Sequence, residues 1–150
     1  MTVTDAGARR FESERVMGMI NYGLLFSAIF FVGVPGIVAV ILAYTQRAAA
    51  GPVMRDHYRF QIQIFWIGLL LGLIAGVCGL WAILDVTGEA WRNGDIHGEM
   101  QVDELHPTSQ VIGLFIASGV ALALMTLWSL AAPAIGFIRL ATAAKPLEAA

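Results

Sequence analysis

The chain has 150 residues, 58% of them hydrophobic and 13% charged, with a formal net charge of -2 at pH 7. Soluble domains carry about a quarter charged residues, and a balance this close to neutral excludes the broad basic field of a nucleic-acid-binding protein. The single cysteine, Cys78, excludes an internal disulfide and a paired-cysteine metal knuckle.

The charges cluster around residues 5–15, 47–59, 85–104 and 139–148, leaving three long stretches with none. Such stretches suit hydrocarbon as a solvent. The sequence therefore predicts an all-α fold: an integral membrane bundle of three transmembrane helices with a short C-terminal interfacial segment. Its parts are a polar N-terminal tail (1–15), a transmembrane domain (16–144, spans about 16–44, 60–84 and 111–138) and a C-terminal tail (145–150). The longest polar stretch, residues 86–110, is too short for a soluble catalytic domain.

Residues 1–15 have mixed charge and no apolar periodicity, as expected of a surface-lying tail. Arg9, Arg10 and Arg15 precede an apolar run too long for a secretory signal, so an uncleaved first span is expected. That span, 16–44, exceeds the about 20 helical residues that cross a hydrocarbon core of about 30 Å. Pro35 lies in its middle and removes a backbone donor, which predicts a packing kink or a mobile hinge.

The second span has an uncharged core over residues 64–84. Gly68, Gly72 and Gly76 recur every fourth residue and would share one face for close helix packing, within the chain or between copies. Cys78 lies inside this run and reads as a buried, inert thiol. The third span is interrupted by Pro133, which predicts a crossing helix over about 111–130, a bend, and a short segment at the interface over 134–144. The tryptophans and tyrosines fall mostly near the span ends, as interfacial anchors do.

Three crossings would pair Arg9, Arg10, Arg15 and Arg92 on one side with Arg47, Arg55, Arg59, Arg139 and Lys145 on the other. Four basic residues against five give the positive-inside rule little to act on; the crowding of Arg47, Arg55 and Arg59 in a short connection favours a cytoplasmic first loop.

The densest polar feature is DHYRFQIQIFW over residues 56–66, at the entrance to the second span. His57 and Gln61 are four apart and share a helix face, as do Arg59 and Gln63. With Tyr58 they form an interfacial collar or a contact site for a lipid headgroup or a partner protein. Proton transfer through His57 is the third reading, although no carboxylate within the apolar spans could extend a relay.

At this motif the chain resembles a family of small, uncharacterised bacterial inner-membrane proteins, a domain-of-unknown-function family distantly similar to the channel component of the chloroplast inner-envelope translocon. The resemblance is carried by NYGLLF (21–26), by Ala43-Tyr44 followed by Arg47, and above all by HYRFQI (57–62) with Phe65-Trp66; GFIRLATAAKP (136–146) is a looser match. Gln63 and Ile64 stand where that pattern has a basic residue and threonine. The resemblance implies a helical inner-membrane protein, with a role in transport or insertion by distant analogy and no catalytic residues to carry over.

His97, Glu99, Asp103, Glu104 and His106 crowd the second loop and could bind a divalent cation, but their spacing matches no established motif, and a solvated acidic loop is the simpler reading. No nucleotide-binding run and no nucleophile–base spacing is present, so no catalytic, cofactor or metal residues are assigned. The expectation is a multi-pass inner-membrane protein acting as a non-enzymatic accessory or assembly subunit through helix–helix contacts. The alternative is an oligomeric transport or permeation component. Expected partners are membrane lipids and a second copy or another membrane protein, not nucleic acid.

Overall fold

The computed structural model describes residues 3–31, 33–92 and 108–143. Among these residues the chain is all helical: α1 (Val3–Ser27), α2 (Val34–Arg47), α3 (Pro52–Arg92) and α4 (Ser109–Thr142). Two stretches, Pro52–Gly88 of α3 and Ser109–Thr142 of α4, are long and apolar enough to cross a membrane, rather than the three expected.

The missing third is the first span, which is not one helix. α1 closes at Ser27, whose hydroxyl donates to the Leu24 carbonyl at 2.9 Å. The chain then turns, with Phe30 N–H donating to Ser27 O at 3.0 Å and Gly33 N–H to Ala28 O at 2.8 Å. Gly33 takes φ +81°, a left-handed conformation that costs glycine little and other residues more. Pro35 follows in the first turn of α2, where its missing N–H has no helical partner to lose. The proline expected to kink a long helix instead opens a new one. α1 and α2 pack together as a helical hairpin, and a Cβ on Gly36 would stand 3.2 Å from the Ala28 Cβ, so the absent side chain lets the two helices meet near the turn.

Two further expectations change. Residues 3–15, expected as a tail, are the first half of α1. Arg10 and Glu14 form an i,i+4 pair at 3.1 Å, Arg10 also donates to the Ala49 carbonyl at 2.8 Å, and Glu14 accepts from the Gly51 N–H at 3.4 Å. The tethers to residues 49–51 matter more than the exposed ion pair, which contributes little. Pro133, expected to interrupt the third span with a bend, lies inside a continuous α4, so residues 134–142 extend the helix rather than forming a separate interfacial segment. The proline is fully buried with Ala132 and Leu140 nearby in the helix, and packing on both sides of it holds the helix through the lost hydrogen bond.

By compactness the chain divides into two units: the chain up to Gly68 together with the chain from Thr126, and Leu69–Met125. The first has a core of Tyr22, Leu25, Ala39, Val40, Ala43, Ala50, Met54, Tyr58, Ile62, Ile64, Ala132 and Leu140. It draws on all four helices.

In the second unit α3 and α4 meet along small residues. Ser118 Oγ donates to the Ala75 carbonyl at 2.9 Å. A Cβ on Gly79 would stand 3.0 Å from the Ser118 hydroxyl, and one on Gly72 would stand 3.1 Å from the Met125 sulfur. Ala75 and Ala82 are buried, whereas Gly76 faces open space. In the first unit a Cβ on Gly68 would meet Ser129 Oγ at 3.6 Å. The seam on α3 in the second unit thus reads 72, 75, 79, 82, and Gly76 lies outside it. Alternating steps of four and three average 3.5 residues, the repeat that holds a contact line between supercoiled helices; repeated steps of four rotate away from it.

Candidate functional site

The first turns of α3 carry the collar residues, and the hairpin decides which of them face inward. His57, Tyr58 and Gln61 point into the first unit together with Met54 and Ile62; Arg55, Asp56, Arg59 and Gln63 point outward. The pairing by helix face expected from the sequence is present, but the five candidates do not form one site.

The inward set is joined to α1 and α2 by a group of hydrogen bonds. Asn21 Nδ2 donates to Gln61 Oε1 at 2.6 Å, and Gln61 Nε2 donates to the Gly18 carbonyl at 3.0 Å. Both amides are buried, with exposures of 1% for Asn21 and 0% for Gln61. The Tyr22 hydroxyl and His57 Nδ1 are 3.1 Å apart, the hydroxyl donating when Nδ1 carries no proton; the two rings meet edge to face at 6.1 Å between centroids. Tyr58 Oη donates to Gln46 Oε1 at 3.1 Å.

α4 closes the cluster from the remaining direction. A Cβ on Gly136 would fall within the Tyr22 ring and 2.8 Å from its hydroxyl, so only glycine lets the ring lie against α4 there. The Arg15 guanidinium donates to the Ala141 carbonyl, tying α1 to the last turn of α4. Trp128 Nε1 donates to the Ile64 carbonyl at 3.2 Å. Asn21 Oδ1 and Arg15 Nε are buried without a partner, the least satisfied atoms of the arrangement.

The Tyr22–His57 contact and the buried amides of Asn21 and Gln61, the latter reaching the Gly18 carbonyl, join α1 to α3.

Among the described residues no three His, Cys, Asp or Glu side chains come together as a metal site. The loop residues His97, Glu99, Asp103, Glu104 and His106 lie outside the described residues. Cys78 is half-buried on α3.

Nothing in the local spacing of the sequence gives Asn21, Tyr22, Gln46 or Gly136 a part in this cluster. The available signal was the amide itself: a side chain that needs partners in an apolar run implies another polar residue facing it. The stretches NYGLLF, AYTQR, HYRFQI and GFIRLA meet here through Asn21–Gln61, Tyr22–His57, Gln46–Tyr58 and Tyr22–Gly136. Compared with family models, curated proteins and solved structures, the chain matches none.

Proposed function

We propose that the chain is a multi-pass protein of the bacterial inner membrane and a non-enzymatic accessory or assembly subunit that works through helix contacts, as its resemblance to the small inner-membrane family implies. The observation that carries the membrane half is the exposure of its most apolar helices. Only 11% of the most apolar window is buried in α3, and likewise in α4. Val77, Leu80, Trp81 and Leu84 on α3, and Ile116 and Leu127 on α4, are more than half exposed. Monomeric soluble proteins rarely expose contiguous apolar patches larger than a few hundred Å², whereas lipid covers such helices at no cost.

Helix length divides the roles. α2 has 14 residues and, at 1.5 Å per residue, reaches about 21 Å, short of a hydrocarbon core of about 30 Å. The hairpin of α1 and α2 therefore enters and returns on one side, its tip carrying the exposed Phe30 and Phe31. α3 and α4 make the two full crossings.

This topology changes the charge count. Arg10 reaches Ala49 and Arg15 reaches Ala141, so the first half of α1, the connection after α2 and the end of α4 share a side. Arg9, Arg10, Arg15, Arg47, Arg55, Arg59 and Arg139 belong to it; Arg92, closing α3, belongs to the other. Among the described residues, seven basic residues against one favour a cytoplasmic location for the basic side, replacing the near tie of a three-crossing arrangement.

Carbonate extraction and crosslinking of membranes that hold the full chain test the proposal. The chain is expected to stay with carbonate-washed membranes, to leave them in detergent, and to crosslink to a second copy or a membrane-protein partner. Release by carbonate as a folded soluble species would refute the membrane reading. Recovery of isolated monomers at every expression level would refute the role through helix contacts.

A further inference from the structure

We propose that a depression between the end of α2 and the first turns of α3 binds phosphate, and that its occupant is the headgroup phosphate of an anionic membrane lipid. The depression has a volume of about 370 Å³ and is lined by Tyr44, Arg47, Ala48, Arg55 and Arg59. Arg55 and Arg59 are one turn apart on one face of α3, and Arg47 comes from the last turn of α2. No carboxylate lines it. Arg55 donates to the Ala50 carbonyl at 3.4 Å, which leaves its charge unbalanced.

A neighbouring depression of about 310 Å³ provides the contrast. It is lined in part by Arg10, Glu14 and Ala49, and there the guanidinium is taken up by Glu14 at 3.1 Å and by the Ala49 carbonyl at 2.8 Å. Three permanently charged guanidinia around one hollow repel one another unless an anion sits between them. The planar fork of arginine matches two oxygens of a phosphate. Tyr44 adds a donor: its oxygen accepts from Trp66 Nε1 at 3.2 Å, so its own O–H is available to an oxygen in the hollow.

The surroundings select a lipid over a free anion. Ile41, Trp66 and Ile67 are 56%, 52% and 39% exposed beside the Tyr44–Trp66 pair, so apolar surface starts where the charged surface ends. A phosphate ester on an acyl chain covers both; inorganic phosphate covers one. The choice of lipid rests on the membrane reading above, and the geometry of the arginines does not.

The test is titration of the detergent-solubilised full chain with dioctanoyl phosphatidylglycerol, dioctanoyl phosphatidylcholine and inorganic phosphate, read by calorimetry. Saturable binding of the phosphatidylglycerol is expected, weaker by about tenfold or more in an Arg47→Gln, Arg55→Gln, Arg59→Gln triple variant and unchanged in Arg9→Gln. If the triple variant does not fold, Arg59→Gln alone is expected to weaken binding while Arg9→Gln does not. Equal binding of the two lipids, or equal loss in Arg9→Gln, overturns the site. Inorganic phosphate binding as tightly as the phosphatidylglycerol overturns the lipid assignment. A chain that stays in carbonate-washed membranes yet shows no preference between the lipids loses this site and keeps its membrane reading.

Discussion

Asn21 on α1 and Gln61 on α3 are buried against each other and joined by a 2.6 Å hydrogen bond between their amides. They stand 40 positions apart in the chain, and the hairpin turn at Gly33 brings them together. The net stabilisation by such a bond is about 1 kcal/mol, but a buried amide left without its partner costs about 1–3 kcal/mol. Asn21→Leu and Gln61→Leu are each expected to destabilise the protein by about that amount, and the double variant by less than the sum. Thermal unfolding in detergent across the four proteins measures the coupling. Strict additivity would show that the amides do not act as a pair.

Tyr22 and Gly136 make a tighter demand. A methyl at position 136 would overlap the Tyr22 ring, and the ring is fixed by the fully buried position it occupies. Gly136→Ala should therefore force α4 away from α1 and destabilise by about 1–3 kcal/mol, the usual range for overpacking. Combining it with Tyr22→Ala is expected to be milder than the two single losses added. Unfolding midpoints of the three variants decide it, and a Gly136→Ala protein as stable as the parent would contradict the contact.

The glycines of α3 separate the two possible seams. Leucine in place of Gly79, whose neighbour Ser118 is itself held to the Ala75 carbonyl, has nowhere to go without parting α3 from α4. Gly76→Leu points into open space and should be tolerated, its added surface meeting lipid in the proposed arrangement. Protease resistance or thermal stability in detergent should fall markedly for Gly79→Leu and change little for Gly76→Leu. The reverse order would restore the four-residue seam.

The apolar stretches were legible because solvent preference is written into each residue separately. Helical character and the shared helix face of His57 and Gln61 were legible because both depend on local spacing; the inward direction of that face was not. What a single sequence could not carry was the direction of the chain at Val34-Pro35: proline is compatible with a kink inside a helix and with the first turn of a new one, and the positive φ of Gly33 is what distinguishes them. The same ambiguity took the opposite outcome at Pro133, where the helix continues because its flanks are packed. Gly76 stands outside the α3–α4 seam for a related reason: a run of glycines shows where approach is easy, and only the partner helix shows where it happens. Tyr22 and Gly136 were missed because an aromatic ring filling the space left by a glycine on a distant helix leaves no trace in local spacing.

The hairpin and the single long span place the connection after α2 on opposite sides of a membrane, which makes topology the most decisive measurement. In a Cys78→Ser background, Ala8→Cys lies in the first half of α1 and Ala49→Cys in the connection after α2; both sites are near or at the surface. If α1 and α2 return to the side they entered from, an impermeant thiol reagent reaches both from the same face of sealed vesicles, the cytoplasmic face according to the charge count. A single crossing over residues 16–44 would expose them on opposite faces. Thr87→Cys near the end of α3 supplies the internal standard, since both arrangements would have α3 cross. Ala8→Cys and Ala49→Cys labelled together, with Thr87→Cys labelled from the other face, is the expected pattern. Labelling of Ala8→Cys and Ala49→Cys from opposite faces would require α1 and α2 to join into one crossing helix, and the Arg10–Ala49 and Asn21–Gln61 contacts could not then form within one chain.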